Sequence, residues 1–569
     1  MVLLPGALAG IALALFLTAQ AGGSGVMMRA STDGAGGQSD HESDQPSVSA
    51  DGRYVAFASL AGNLVPGDTN GAWDAFVKDS QTGAITRVST SSAGAGANAG
   101  SSGSPCNGNH DSSQPSISAD GRYVAFMSCA SDLVPGDTND HQDIFVKDTL
   151  TGETTRVSTN SAGKQSSCDG VFCVANSYAP HISADGRSVE FMSFAQNLLT
   201  PPVHTNRTQV YIKDRLTGQT SIASTNSDGI LCGGSEASFS GDGRYVAFVP
   251  DDASLVPGHV NDVWDIFVKD RQTGETTRVN TDASGAQANG SSWEVSISSD
   301  GRFVSFASMA SNLVAQPRNL SGWCPDIFVK DRQTGSVTRA SESASGTEGD
   351  SCSEFPSLSA HGRYVSFRSG AKNLVPGQTN WGLNDVFVKD ILTGAIARVS
   401  TDSLGAQGNG HSDTNAISAD GLFVGFRSLA ANLVPDDTNG VADIFKAASD
   451  APVPECSQPL LRLSLGSVYW ASYSDYLDGK LTVEYGITNT GGDTAYDIKI
   501  VGSAVTNGVV CASAMPFDAG TVLPVLATNN VTLTYSVPAG VTAFRSTVYA
   551  TAENSCELGI SYPGAYPGL

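Results

Sequence analysis

QPSISADGRYVAFMSCASDLVPGDTNDHQDIFVKDTLTGETTRVSTNSAG, residues 114–163, decides the fold of this 569-residue chain because it recurs. Its D-G step returns at Asp51, Asp120, Asp185, Asp242, Asp300, His361 (as H-G) and Asp420, giving seven copies 57 to 69 residues apart. A fixed period of this size is the mark of a repeat architecture. Within the quoted copy, four short segments rich in β-branched and aromatic residues (115–118, 123–128, 143–147 and 154–158) are separated by turn residues, which predicts four strands, A to D. Ala119-Asp120-Gly121-Arg122 makes a tight A-to-B turn, and 148–152 makes a tight C-to-D turn. In strand B, Tyr123, Ala125 and Met127 alternate with Val124, Phe126 and Ser128, so both faces are largely apolar, as in a blade packed between two others.

The motifs S-A-D-G-R-Y-V-A-F-x-S and D-I-F-V-K-D-x-x-T-G resemble the TolB-type propeller repeat, which is related to the propellers that precede some peptidase domains. The resemblance covers roughly residues 27–446. It implies a β-propeller fold and says little about function. The expected fold class is all-β: a seven-bladed β-propeller closed by an N-terminal strand, followed by a β-sandwich domain.

Ring closure follows from counting. The arginine that opens strand D lies 22 residues before the next D-G position at Arg278, Arg339 and Arg398, and Arg29 lies 22 before Asp51. The seventh copy stops at Asp443-Ile444-Phe445-Lys446 and lacks a fourth strand of its own. Residues near Arg29 are therefore expected to complete blade 7 and leave no open edge. The D-to-A and B-to-C connections then share one face, and the longest of them follow Asp79 and Asp148, so binding is expected on that loop face.

The domain reading is 1–25, a signal peptide or retained hydrophobic segment; 26–449, the propeller; and 450–569, an immunoglobulin-like sandwich. MVLLPGALAGIALALFLTAQA has an apolar core and an A-Q-A ending at Ala21 that suit secretory cleavage, although no Lys or Arg precedes the core. If retained, its length would just span a membrane. LTVEYGITNTGGDTAYDIKIVGS and VTLTYSVPAG resemble bacterial immunoglobulin-like domains of surface proteins. A formal charge of −24 with no clustered Lys and Arg argues against a nucleic-acid partner.

Ten cysteines suit an oxidising, extracytoplasmic compartment. The expected pairs are Cys106 with Cys129, Cys168 with Cys173, and Cys324 with Cys352, while Cys232, Cys456, Cys511 and Cys556 have no assigned partner. An unpaired thiol on the loop face, such as Cys232, could link to a C-terminal cysteine of another copy.

Three constellations bear on chemistry. The B-to-C loops carry D-T-N-x-x-x-D at Asp68, Asn70 and Asp74, at Asp137, Asn139 and Asp143, and at Asp437, Asn439 and Asp443. Oxygen ligands at such spacing suit calcium, and the competing reading is an Asx-stabilised turn. A channel mouth six and seven residues before each D-G step would gather Asp44, Gln45, Tyr178, Glu236, Trp293, Glu294, Glu354, Phe355 and Asp413. Aromatics beside acids suit glycan stacking or paired-carboxylate hydrolysis, against the alternative of a solvated rim. Third, no G-x-S-x-G elbow occurs and the eight histidines are scattered, so no Ser/His/Asp set emerges. The reading that results is a non-catalytic secreted or cell-surface protein acting in adhesion or assembly, with itself or with surface proteins or glycans as partner and a head-to-tail filament as one form. A soluble glycan- or protein-binding module and a hydrolase or lyase using acids at the mouth are the alternatives.

Overall fold

The computed structural model describes residues 27–98, 112–168, 174–205, 207–251, 263–316, 324–379 and 382–449, together with eight C-terminal strands between Leu461 and Ala565. Residues 28–448 form seven four-stranded antiparallel sheets, each ordered A-B-C-D. In blade 1 these strands are Ser43–Val48, Tyr54–Ser59, Asp74–Asp79 and Ile85–Arg87. The A strands touch one another round the ring, including blade 7 against blade 1, so they form its inner wall.

Blade 7 takes its D strand from Met28–Arg29, which pairs with Asp443–Ala448 in the register Met28 to Lys446 and Arg29 to Phe445. Blade 1 pairs Arg87 with Phe76 in the same way. The stitched closure read from the 22-residue spacing is therefore present.

Strand B packs on both sides as the alternation requires. Val124 and Phe126 of blade 2 are buried against Ala56, Ala75 and Val77 of blade 1, whereas Ala125 is buried against Ile182, Val189 and Phe191 of blade 3. Inside the blades an aromatic of strand B stacks on one of strand C, as Phe57 does on Phe76 and Phe126 on Phe145, both with centroids 5.9 Å apart. Such pairs contribute about 0.5–1.5 kcal/mol beyond burial.

One detail departs from the expectation, and one adds to it. Strand A of blade 2 starts at Ser112, three residues before Pro115, because the strand continues through a bulge that puts Gln114 at φ 50°. The D-G-R arginine binds the aspartate of K-D: Arg53 meets Asp79 and Arg122 meets Asp148, each at 2.7 Å, with the guanidinium over the adjacent tyrosine ring. Those arginines hold the Asp79 and Asp148 carboxyls well below the usual range.

The C-terminal strands pair into two four-stranded sheets. How these sheets pack, and so the expected sandwich, rests on side chains outside the described residues, as do the hydrophobic segment at the start of the chain, Cys456, Cys511 and Cys556. Among the described residues no helix is long and apolar enough to cross a membrane.

Candidate functional site

All nine expected mouth residues lie in A strands on the inner wall. The backbone there repeats an unusual feature. In six blades one residue of strand A is left-handed: Gln45, Gln114, Ala179, Glu236, Glu294 and Phe355, with φ between 48° and 56°. Non-glycine residues seldom adopt this conformation, which costs roughly 1 kcal/mol or more. In Gln45, Gln114, Glu236 and Glu294 the side chain bonds to the next blade, and these contacts offset that cost. Gln45 Oε1 accepts from the Gln114 amide at 2.7 Å, and Gln114 Oε1 accepts from the Ala179 amide at 2.7 Å. Glu236 Oε2 accepts from the Glu294 amide at 2.6 Å, and Glu294 Oε2 accepts from the Phe355 amide at 2.7 Å.

A second belt lies four residues before each D-G step, where Ser47, Ser116, Ser238, Ser296 and Ser357 accept from the next blade's Ile117, Ile182, Ile297, Leu358 and Ile417 amides. A third is formed by the turns themselves, as the Ala50 amide donates to Ala119 O and the Ala119 amide to Ala184 O.

Across blades 6, 7 and 1 the acids meet arginines instead. Arg368 lies between Glu354 and Asp413, contacting Asp413 at 2.8 Å, and covers the Phe355 ring with its guanidinium 4.6 Å from the centroid. Arg427 lies between Asp413 at 3.5 Å and Asp44 at 3.8 Å. Thr414 Oγ donates to Asp44 at 3.0 Å and joins blade 7 to blade 1. The aromatics are also engaged: the Tyr178 hydroxyl is 2.9 Å from Thr208 Oγ, and Trp293 packs into the cores on both sides of blade 5. Phe355 stays partly open, with 36% of its surface exposed.

Glu294 is the perturbed group of this ring. Burial pushes its carboxyl up to about 7, helped by the nearby Glu354 and Glu236 charges, while the bond from the Phe355 amide and the Arg368 charge act the other way. The folded state therefore holds this proton more tightly than the unfolded chain. Its contribution to stability is present below about pH 4.5, the ordinary glutamate value, and is lost as pH rises through 7. Blades 1 and 2 use Gln45 and Gln114 for the same bond, so Glu294→Gln keeps the acceptor and removes the charge. The expected result is a gain of roughly 1–2 kcal/mol at pH 8 and none at pH 4; equal melting curves at pH 8 would show that the carboxylate is not destabilising.

The D-T-N loops are drawn together by arginine. Arg87 lies 3.3 Å from Asp68 and 2.7 Å from Asp74, Arg156 lies 2.8 Å from Asp137 and 3.3 Å from Asp143, and Arg29 lies 3.3 Å from Asp437 and 3.6 Å from Asp443. Asn70, Asn139 and Asn439 each donate the side-chain amide to the last aspartate of their loop, at 2.9–3.0 Å. One guanidinium thus lies beside both aspartates of each loop. Among the described residues no group of three or more His, Cys, Asp or Glu side chains is placed to hold a metal ion.

Cys324 and Cys352 form a disulfide with Cα atoms 4.6 Å apart. Cys129 and Cys168 are also disulfide-bonded, and their expected partners Cys106 and Cys173 lie outside the described residues. Cys232 is only 4% exposed in the core between blades 3 and 4, which removes it from the surface where a link to another copy was expected.

Sequence reasoning missed Gln114, Thr414, Arg368 and Arg427. Gln114 carried the same signal as Gln45, six residues before its D-G step; the arginines lie in strand B, whose alternation was read only for apolar residues.

No protein-family model matches the chain, nor does any curated protein. Among solved structures it is similar to a TolB candidate from Agrobacterium tumefaciens (18% identity, TM-score 0.31, covering 59% of this chain and 88% of that one). It is likewise similar to TolB from Acinetobacter baumannii (16%, TM-score 0.32, 71% and 82%). An acylaminoacyl peptidase from Pyrococcus horikoshii gives 12% identity and a TM-score of 0.41, with 80% of this chain matching 59% of the peptidase. The assignment to the seven-bladed propellers rests on the blade topology itself.

Proposed function

We propose that this protein is a non-catalytic, extracytoplasmic propeller that acts in surface adhesion or assembly by binding another protein, or another copy of itself, on the loop face. The observation that carries this reading is the employment of the mouth acids. Glu236 and Glu294 serve as inter-blade acceptors, and Glu354, Asp413 and Asp44 are held by Arg368 and Arg427. Acid–base hydrolysis needs two carboxyls free to exchange protons with a substrate, whereas a rigid ring beneath long connections suits recognition. The disulfides at Cys324–Cys352, Cys129 and Cys168 support an oxidising compartment.

The test is protease shaving of intact producing cells, followed by cross-linking and mass spectrometry of the full chain. Accessible protein with cross-links from the loop face to a surface protein or a second copy is the expected result. Recovery as a monomer from the reducing cytoplasm, with thiols at these cysteines, would overturn the reading.

A further inference from the structure

The belts of the inner wall share one interruption. At the first belt, blade 3 offers Ala179, whose methyl cannot accept a hydrogen bond from Glu236. At the second, His181 stands where Ser47, Ser116, Ser238, Ser296 and Ser357 stand elsewhere, and it is turned instead to Glu190, with Nδ1 3.0 Å from Oε2. At the third, the Gly241 amide goes on to Ser299 O at 3.0 Å, but among the described residues no bond joins Ala184 to Gly241. The aromatic that follows the D-G-R arginine in other blades is Ser188 here, so the Gly243 turn has no ring of the preceding blade seated against it, only Phe239 of its own blade. Every one of these losses falls between blades 3 and 4; the seam between blades 7 and 1, where Ala416 replaces the belt serine, also lacks the first two belts but keeps a turn bond from the Asp420 amide to Ala50 O at 3.3 Å and the Thr414 and Arg427 contacts to Asp44.

The interior of the same seam holds a mismatch. Glu190 occupies the strand-B position that is Ala56, Ala125 and Ala247 in blades 1, 2 and 4. It is fully buried, and its Oε1 has no hydrogen-bond partner among the described residues. An unsatisfied buried polar atom costs about 1–3 kcal/mol.

The outer edge, by contrast, is latched. Lys269 Nζ donates to Asn226 O at 2.8 Å, Thr276 Oγ donates to Thr225 O at 2.8 Å, and Arg271 reaches Ser221 Oγ at 3.1 Å, all across the seam. Lysines in other blades make the same outer clasp, as Lys147 does to Thr90 O and Ser91 O.

We infer that blades 3 and 4 part at the inner wall while remaining fastened at the rim, so that this seam is the point at which the ring opens toward its channel. Opening exposes the His181–Glu190 pair and the inner edge of strand A of blade 4, and gives the Glu190 carboxylate access to water or to a hydrogen-bond donor. Among the described residues this is the only one of the seven joints that lacks all three belts.

Hydrogen exchange read by mass spectrometry on the full chain tests this. The segment 235–241 is expected to exchange at least about tenfold faster than its equivalents 112–118, 177–183 and 292–298, reflecting a lower local opening free energy. The triple variant Ala179→Gln, His181→Ser, Glu190→Ala copies the residues of blade 2 and is expected to slow 235–241 toward the other blades, leaving them unchanged. Equal exchange of all four segments in the unaltered chain would overturn the inference, as would a folded triple variant in which 235–241 is not slowed. Should the triple variant fail to fold, Gln114→Ala with Ser116→Ala provides the converse: it removes two belts between blades 2 and 3 and must accelerate 177–183, and no acceleration would overturn the inference.

Discussion

Deletion of residues 27–33 is expected to destabilise the propeller by on the order of 3–5 kcal/mol, the size of loss seen when a buried ion pair is broken. The segment does more than add a strand. Ser31 Oγ donates to Asp443 at 2.5 Å, the Ala30 amide donates to Ile444 O at 2.7 Å, and Arg29 lies against Asp437 and Asp443. Asp443 is completely buried, so removing Arg29 and Ser31 leaves its charge largely uncompensated. Lys78 of blade 1 also loses its acceptors, Thr32 O and Asp33 O. Thermal melting followed by near-ultraviolet circular dichroism reads the effect. A melting temperature equal to that of the full chain would mean that the ring is held elsewhere.

The glycines of the A-to-B turns supply a paired prediction. Gly121 has φ 75°, and a Cβ there would lie 2.1 Å from the Tyr54 ring of blade 1. Gly121→Ala must therefore displace a packed aromatic as well as hold a left-handed alanine, at a cost of about 2–4 kcal/mol. Gly243 has nearly the same φ, 70°, but its Cβ would meet Phe239 at 3.4 Å and Ser188 at 3.5 Å, both ordinary van der Waals contacts. Gly243→Ala then bears the backbone term alone, about 1 kcal/mol. Urea midpoints of the two variants separate packing from backbone strain. Equal losses would show that the aromatic seat contributes nothing, and with it that the seam between blades 3 and 4 is as tight as its neighbours.

Much of this architecture was legible because the repeat reports it seven times. The D-G spacing located every blade, and the missing R-V-S-T after Lys446 paired with the extra copy at Arg29 located the closure. What was not legible depends on dihedral angles and on contacts between blades. Nothing in Q-P-S-I says that Gln114 is left-handed, and that conformation converts a residue which would face solvent into a link to the next blade. The mouth acids were found at their positions, but an open site and a structural belt use the same side chains, and only the amide of Glu294 or the guanidinium of Arg368 distinguishes them. The D-T-N loops pose the same choice: Asp137 and Asp143 attract a cation, and the guanidinium of Arg156 from strand D lies beside them.

The borrowed strand of blade 7 also sets a timetable. Ser31 and Asp443 are 412 positions apart, so the segment that seals the ring is synthesised long before anything exists to receive it. Loop-closure entropy grows only with the logarithm of length, so this separation costs little at equilibrium. In kinetic terms it is expensive, since contacts between distant parts of the chain form late. Blades 1 to 6 each contain all four of their strands and can form in order, while blade 7 waits as a three-stranded sheet with a bare edge. Such an edge invites pairing with a foreign strand. The propeller's most exposed moment is thus its last one, and a chaperone that guards residues 27–33 or the outer edge of 443–448 would be guarding the single step on which the finished ring depends.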